Sequence, residues 1–299
     1  MSTNQFPAST EPPVTYAEEF VPVPQPPSGV TGDSPSAFRQ LLLAFCTWLA
    51  SALLLAFVPL LLVLPYLIYK NTSQQGFHPE TLLADKTVIL LSLVGVIPAH
   101  LLTIFVAWAV VTSGGKRPFW ETIRWSWPEN FGPWKSAMLA VVLLAVGSLI
   151  SWALGGGETQ LDQLINSSYP ARLATAFLAA ATAPFVEELV YRGILYPAFE
   201  RAFGTIVAII VVTAMFAGVH VLQYSNNLGV IAVITMLSLS LTLVRAFTGR
   251  LLPCFMIHLV FNGIQSIYLV LSPFLSTQHS PKVSPGMIQT IEFFVRRLG

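Results

Sequence analysis

Residues 172–203 read RLATAFLAAATAPFVEELVYRGILYPAFERAF, an apolar run interrupted by Glu187, Glu188 and Arg192. Apolar stretches of about 18 residues or more read as membrane-spanning helices. As a single helix this segment would be about 48 Å long, more than the roughly 30 Å hydrocarbon core requires, and Pro184, Gly193 and Pro197 give it places to bend. A charged side chain near the bilayer centre costs about 2.5 to 3.5 kcal/mol on insertion scales, so three of them in one span must be paired or used.

Outward from this segment, further apolar spans are expected at 39–69, 87–113, 136–154, 204–222, 228–247 and 252–272. The 299-residue chain is 54% hydrophobic and only 10% charged. The fold class expected is all-α, a polytopic transmembrane helical bundle of seven or eight helices. The eighth candidate is 285–297, where Ile288, Ile291, Phe294 and Val295 share a helical face beside Arg296 and Arg297, a pattern closer to an interfacial helix than to a span. A formal net charge of +1 makes no basic field for nucleic acid, so no nucleic-acid partner is expected.

Residues 1–36 are rich in Pro, Ser, Thr and Glu without apolar periodicity, and are expected to be a disordered Pro-rich tail with no signal-peptide pattern. The organisation that follows has N-terminal transmembrane helices and a basic loop over 37–135, a core over 136–272, and a C-terminal segment over 273–299. Lys116, Arg117, Arg124 and Lys135 in one loop and Arg245 and Arg250 in another fall on the same side, which the positive-inside rule makes cytoplasmic together with the N-terminus. Trp120, Trp125, Trp127 and Trp134 in the first of these loops read as interfacial anchors. Cys46 and Cys254 both lie in apolar segments and suggest no disulfide framework.

The titratable groups expected at membrane depth are Glu187, Glu188, Arg192, His220, His258 and an isolated His100. Glu188 and Arg192, four apart on a helix, are expected to pair, with Glu preceding the cation. Glu187 then lies about 100° around the helix and is free for another task. If the spans either side of Gly204 form a hairpin, Glu187 and His220 are level, each about 24 Å from the turn. His100 reads as a satisfied interior histidine and Phe216 as packing.

Glu187-Glu188-x-x-x-Arg192, Phe216-x-x-x-His220 and His258-x-x-x-Asn262, in that order, resemble the three motifs of the CPBP intramembrane proteases, the family of the CAAX prenyl endopeptidase and the bacterial Abi proteins. The resemblance covers about 136–272. It implies an intramembrane endopeptidase in which a glutamate and the second-motif histidine activate water, while the third-motif His and Asn form an oxyanion hole. The residues support the same roles. Glu187 is the candidate base because Glu188 already has a counter-charge, His220 can share the water, and His258 and Asn262 can offer N–H donors to an oxyanion. Glu188 and Arg192 are expected to be supporting.

A zinc reading stays open, with Glu187, His220 and His258 as ligands. The metal-free reading, with no cofactor, is preferred because it also uses Asn262. The implied partners are the lipid bilayer and a membrane-associated peptide or protein, possible substrates including prenylated CAAX proteins. An integral multi-pass location is expected, in the plasma membrane of a prokaryote or the endoplasmic reticulum of a eukaryote. A proton- or substrate-coupled transporter and a non-catalytic immunity or scaffold protein are the alternatives.

Overall fold

The computed structural model describes residues 37–73 and 85–275. The expected tail over 1–36 and the eighth helix over 285–297 lie outside them. The described residues form nine helices and no strand: α1 (Ala37–Ser73), α2 (Lys86–Val111), α3 (Phe119–Thr122), α4 (Pro133–Leu154), α5 (Gln160–Ser167), α6 (Tyr169–Phe203), α7 (Thr205–Tyr224), α8 (Leu228–Thr248) and α9 (Leu252–Leu275). All seven expected spans therefore fall on helices. Six of these, α1, α2, α4, α6, α8 and α9, are long and apolar enough to cross a membrane, and α7 holds a shorter apolar stretch, Thr205–Val221. Large apolar side chains such as Phe57, Leu61, Phe105, Leu149 and Ile210 face outward, the arrangement that a lipid surround favours and water would penalise. The protein is an integral, multi-pass membrane protein.

The centre of the bundle is α6. Every residue from Glu188 to Tyr196 is buried, and Leu189, Val190, Ile194 and Leu195 share a core with Ala44 of α1, Ala107 of α2 and Val212 and Phe216 of α7. A second core joins Ala140 and Leu143 of α4 to Val233, Leu237 and Leu241 of α8 and to Ile257 and Phe261 of α9. Trp48 of α1 donates its indole N–H to the Tyr191 hydroxyl at 3.0 Å, which holds α1 against α6. The α1 and α2 backbones approach so closely that a Cβ on Gly95 would lie 2.6 Å from Pro59 Cα, so only glycine fits there.

The connection between α4 and α6 is built around α5. Thr159 caps the helix and the Asp162 carboxylate accepts in return from the Thr159 N–H, a capping box that is buried. Asn227, at the start of α8, accepts from the Val230 N–H and donates to the Gly157 carbonyl, which ties this connection to the α7–α8 turn.

The expected bends in α6 take the form of two π-helical turns, Leu178–Thr182 and Leu189–Leu195, and proline explains both. A proline ring clashes with the carbonyl four residues back and has no N–H to give it. Widening the turn relieves the clash: the residue just before each proline bonds five residues back, Ala183 N–H to Leu178 O ahead of Pro184, and Tyr196 N–H to Tyr191 O ahead of Pro197. Each widening passes over one carbonyl, Ala179 in the first turn and Arg192 in the second. The residue five positions beyond each of these is the proline itself, so neither carbonyl has a backbone donor. Both are taken by side chains from other helices. Asn262 of α9 donates to Ala179 O at 3.1 Å, and Arg245 of α8 donates to Arg192 O at 3.0 Å.

Candidate active site

Glu187 and Glu188 lie between the two π turns, and the structure separates them. Glu188 and Arg192 are fully buried and paired, Nη1 to Oε1 at 2.9 Å. The Glu187 side chain is 26% exposed and lines a cavity of about 620 Å³. Arg192 is satisfied on every side: its guanidinium also donates to the Ser238 carbonyl and hydroxyl at 2.9 Å and to the Thr242 hydroxyl at 3.3 Å, and it lies 4.7 Å from the centre of the Phe216 ring. A buried ion pair needs this degree of hydrogen bonding to offset its desolvation.

His258, on α9, spans the two glutamates. Its Nδ1 lies 2.9 Å from Glu188 Oε1, and its Nε2 lies 3.7 Å from Glu187 Oε2, too far for a direct hydrogen bond. Because Glu188 is the carboxylate of an ion pair and can only accept, Nδ1 carries the proton in this contact. Both contacts to Glu188 fall on Oε1, and Oε2 is buried without a hydrogen bond among the described residues.

His220, on α7, lies 2.7 Å through Nδ1 from the Phe216 carbonyl. A carbonyl only accepts, so Nδ1 is the donor and the neutral ring keeps Nε2 as an acceptor. Phe216 is more than filler. Its ring packs against those of His220 (4.9 Å), His258 (6.1 Å) and Tyr191 (5.0 Å), and it fixes the spacing between the two histidines.

Glu187, His220, His258 and Asn262 all line the one cavity, whereas Glu188 and Arg192 stand behind its wall. Asn262 uses one amide N–H on Ala179 O, and an amide nitrogen carries a second. His100 is buried with Nδ1 2.9 Å from Thr182 Oγ1, as an interior histidine should be, and it also lines this cavity. Its neighbourhood in sequence gives no sign of that, because Thr182 is 82 residues away. Tyr224 and Gln265, which sequence reasoning passed over, line the cavity too. Helical spacing points to both, since Tyr224 follows His220 by one turn and Gln265 follows Asn262 by three residues.

Among the described residues no three His, Cys, Asp or Glu side chains converge closely enough to hold a metal ion. In this arrangement Glu187, His220 and His258 do not fit together as a zinc set.

Fold and site together define a multi-pass membrane protein in which Glu187, Asp162 and three histidines, His100, His220 and His258, line one cavity. Residues 169–264 match the family model described as type II CAAX prenyl endopeptidase Rce1-like, the CAAX protease grouping that the three motifs resemble. The matched segment takes in Glu187, Glu188, Arg192, His220, His258 and Asn262. No curated protein and no solved structure matches the chain.

Proposed function

We infer that the protein is an intramembrane endopeptidase that hydrolyses a peptide bond of a membrane-associated substrate, with a lipid-anchored CAAX-type peptide as the substrate class that the family match favours. The reading rests above all on one observation: Glu187, His220, His258 and Asn262 share a single cavity while the neighbouring ion pair is sealed from it.

In the proposed reaction, Glu187 accepts a proton from a water that His220 Nε2 holds by accepting its other hydrogen. The water oxygen attacks the scissile carbonyl carbon. The oxyanion that develops is met by the second N–H of Asn262 and by Nε2 of His258, and such donors act strongly in a site screened from bulk water. With Nδ1–H committed to Glu188, His258 can donate from Nε2 only when it carries both ring protons. The protonated Glu187 then delivers its proton to the leaving amine as the C–N bond breaks. Glu188 and Arg192 position His258 and take no part in proton transfer.

The test is substrate trapping in the full-length, membrane-reconstituted protein. Glu187→Gln should abolish cleavage of a lipidated peptide library while retaining bound peptides identifiable by mass spectrometry. Unchanged cleavage by the folded variant would sink the proposal, and proton-coupled uptake lost on the same substitution would point to a transporter. Activity that survives exhaustive chelation excludes a required zinc ion.

A further inference from the structure

A second cavity, of about 410 Å³, lies away from the catalytic one and has a different character. Among the described residues four arginines line it, Arg117, Arg124, Arg201 and Arg245, against one carboxylate, Glu200. Glu200 is already engaged, accepting from the Tyr196 hydroxyl at 2.8 Å and from Thr205 at 3.3 Å. Among the described residues, Arg201 donates from Nε to Pro197 O, and Arg245 from Nε and Nη1 to Arg192 O and Gly249 O, all neutral backbone carbonyls. Glu200 acts on Arg201 and Arg245 with the opposite sign, but one carboxylate among four guanidinium groups leaves the described lining net positive. The guanidinium groups are near enough to act on one another, Arg117 and Arg124 on Arg201, and Arg124 on Arg245. Arg245 is only 4% exposed, so one of these charges is built into the interior rather than displayed on a surface.

The position of the cavity narrows the ligand. Its walls come from the start of α1, the end of α2, the loop that follows α2, the last turns of α6 and the end of α8. All of these are helix termini or connections at one end of the bundle, the end whose loops carry the Lys and Arg excess. Beside the arginines the wall is apolar, with Leu43 of α1 and Val110 and Val111 of α2. Leu43 is 40% exposed on a helix whose outer face is apolar. Converging cations at the membrane boundary next to an acyl-compatible surface are the chemistry of a phospholipid headgroup site.

We propose that this cavity binds the phosphate headgroup of an anionic phospholipid, with the acyl chains lying along α1 and α2. Two hydrogen bonds link its wall to the ion pair behind the first cavity. Arg245 holds the Arg192 carbonyl released by the second π turn, and Arg192 holds Glu188.

The test is titration of the full-length protein with phosphatidylglycerol and phosphatidylcholine, read by native mass spectrometry. Two variants of equal charge loss are compared, Arg117→Gln/Arg201→Gln in the cavity and Lys116→Gln/Lys135→Gln, in the loop after α2 and the first turn of α4, outside its wall. Wild type should prefer phosphatidylglycerol, and affinity should fall about fivefold for each arginine removed, with little change in the lysine variant. Equal losses in the two variants, or no preference for phosphatidylglycerol, would overturn the proposal. Inorganic phosphate that displaces the lipid completely would also overturn it, by showing a site for the free anion. Should the arginine variant fail to fold, a photoactivatable phosphatidylglycerol on the wild-type protein decides the matter: crosslinks to residues 117–124 or 193–201 support the site, and their absence refutes it.

Discussion

Asn262 donates its side-chain amide to the carbonyl of Ala179 across 3.1 Å, and that carbonyl is available because Pro184 forces the preceding turn of α6 to open. A proline on one helix thus orients a proposed oxyanion donor on another. Asn262→Ala should leave Ala179 O unpaired at a cost of about 1 to 3 kcal/mol, and should lower kcat by about 10²- to 10³-fold. Thermal unfolding and cleavage measured on one preparation separate the two effects. A loss of activity no greater than the fraction unfolded would remove Asn262 from the oxyanion hole.

The buried pair of Glu188 and Arg192 makes a prediction about stability. Arg192→Met leaves a fully buried carboxylate without its guanidinium counter-charge and should cost about 3 to 5 kcal/mol. Glu188→Leu/Arg192→Met removes both charges and should recover most of that in denaturant titration. The double variant should remain inactive, because His258 Nδ1 has lost its acceptor. Recovered activity would mean that Glu188 does not position His258.

Phe216 should matter through geometry. Phe216→Ala opens a cavity between His220, His258 and Arg192 and should cost about 3 to 5 kcal/mol. Phe216→Leu fills more of the space and should cost less, yet it should still lower kcat more than it raises KM because both histidines lose the ring that spaces them. A change confined to KM would argue for a substrate contact instead.

Asp85 supplies a pH-dependent element far from the site. Burial by itself would raise its carboxyl, but hydrogen bonds from Lys70, from the Thr87 and Val88 N–H groups and from Tyr66 outweigh this and hold it below the ordinary carboxylate value. A carboxyl depressed on folding contributes fully above its unfolded value, and the contribution is lost as pH falls through the folded value. The Tm advantage of wild type over Asp85→Asn should therefore be constant near neutrality and shrink on acidification. An advantage that grew toward acid would contradict the assignment.

Helix class, the number of apolar segments and the pairing of Glu188 with Arg192 were legible in the chain because each depends on local periodicity or on neighbours one turn apart. That Glu187 points away from this pair follows from the same helical geometry and was legible as well, whereas the cavity it faces and the sealing of Glu188 behind the wall come from packing. The prolines of α6 announced bends, though not their form as widened turns. The capture of the two released carbonyls was not legible, since Asn262 lies 83 residues from Ala179 and Arg245 lies 53 from Arg192.

Residue order alone was enough for a membrane-embedded helical bundle with three motifs on three helices, because apolar length and helical spacing are properties of contiguous residues. Packing had to decide that His258 lies between Glu187 and Glu188, that Phe216 spaces the two histidines, that His100 joins their cavity, and that four arginines from the loop after α2 and the ends of α6 and α8 converge on another. Such contacts have no local energetic signature: they exist only once distant helix faces are brought to within hydrogen-bonding and van der Waals range.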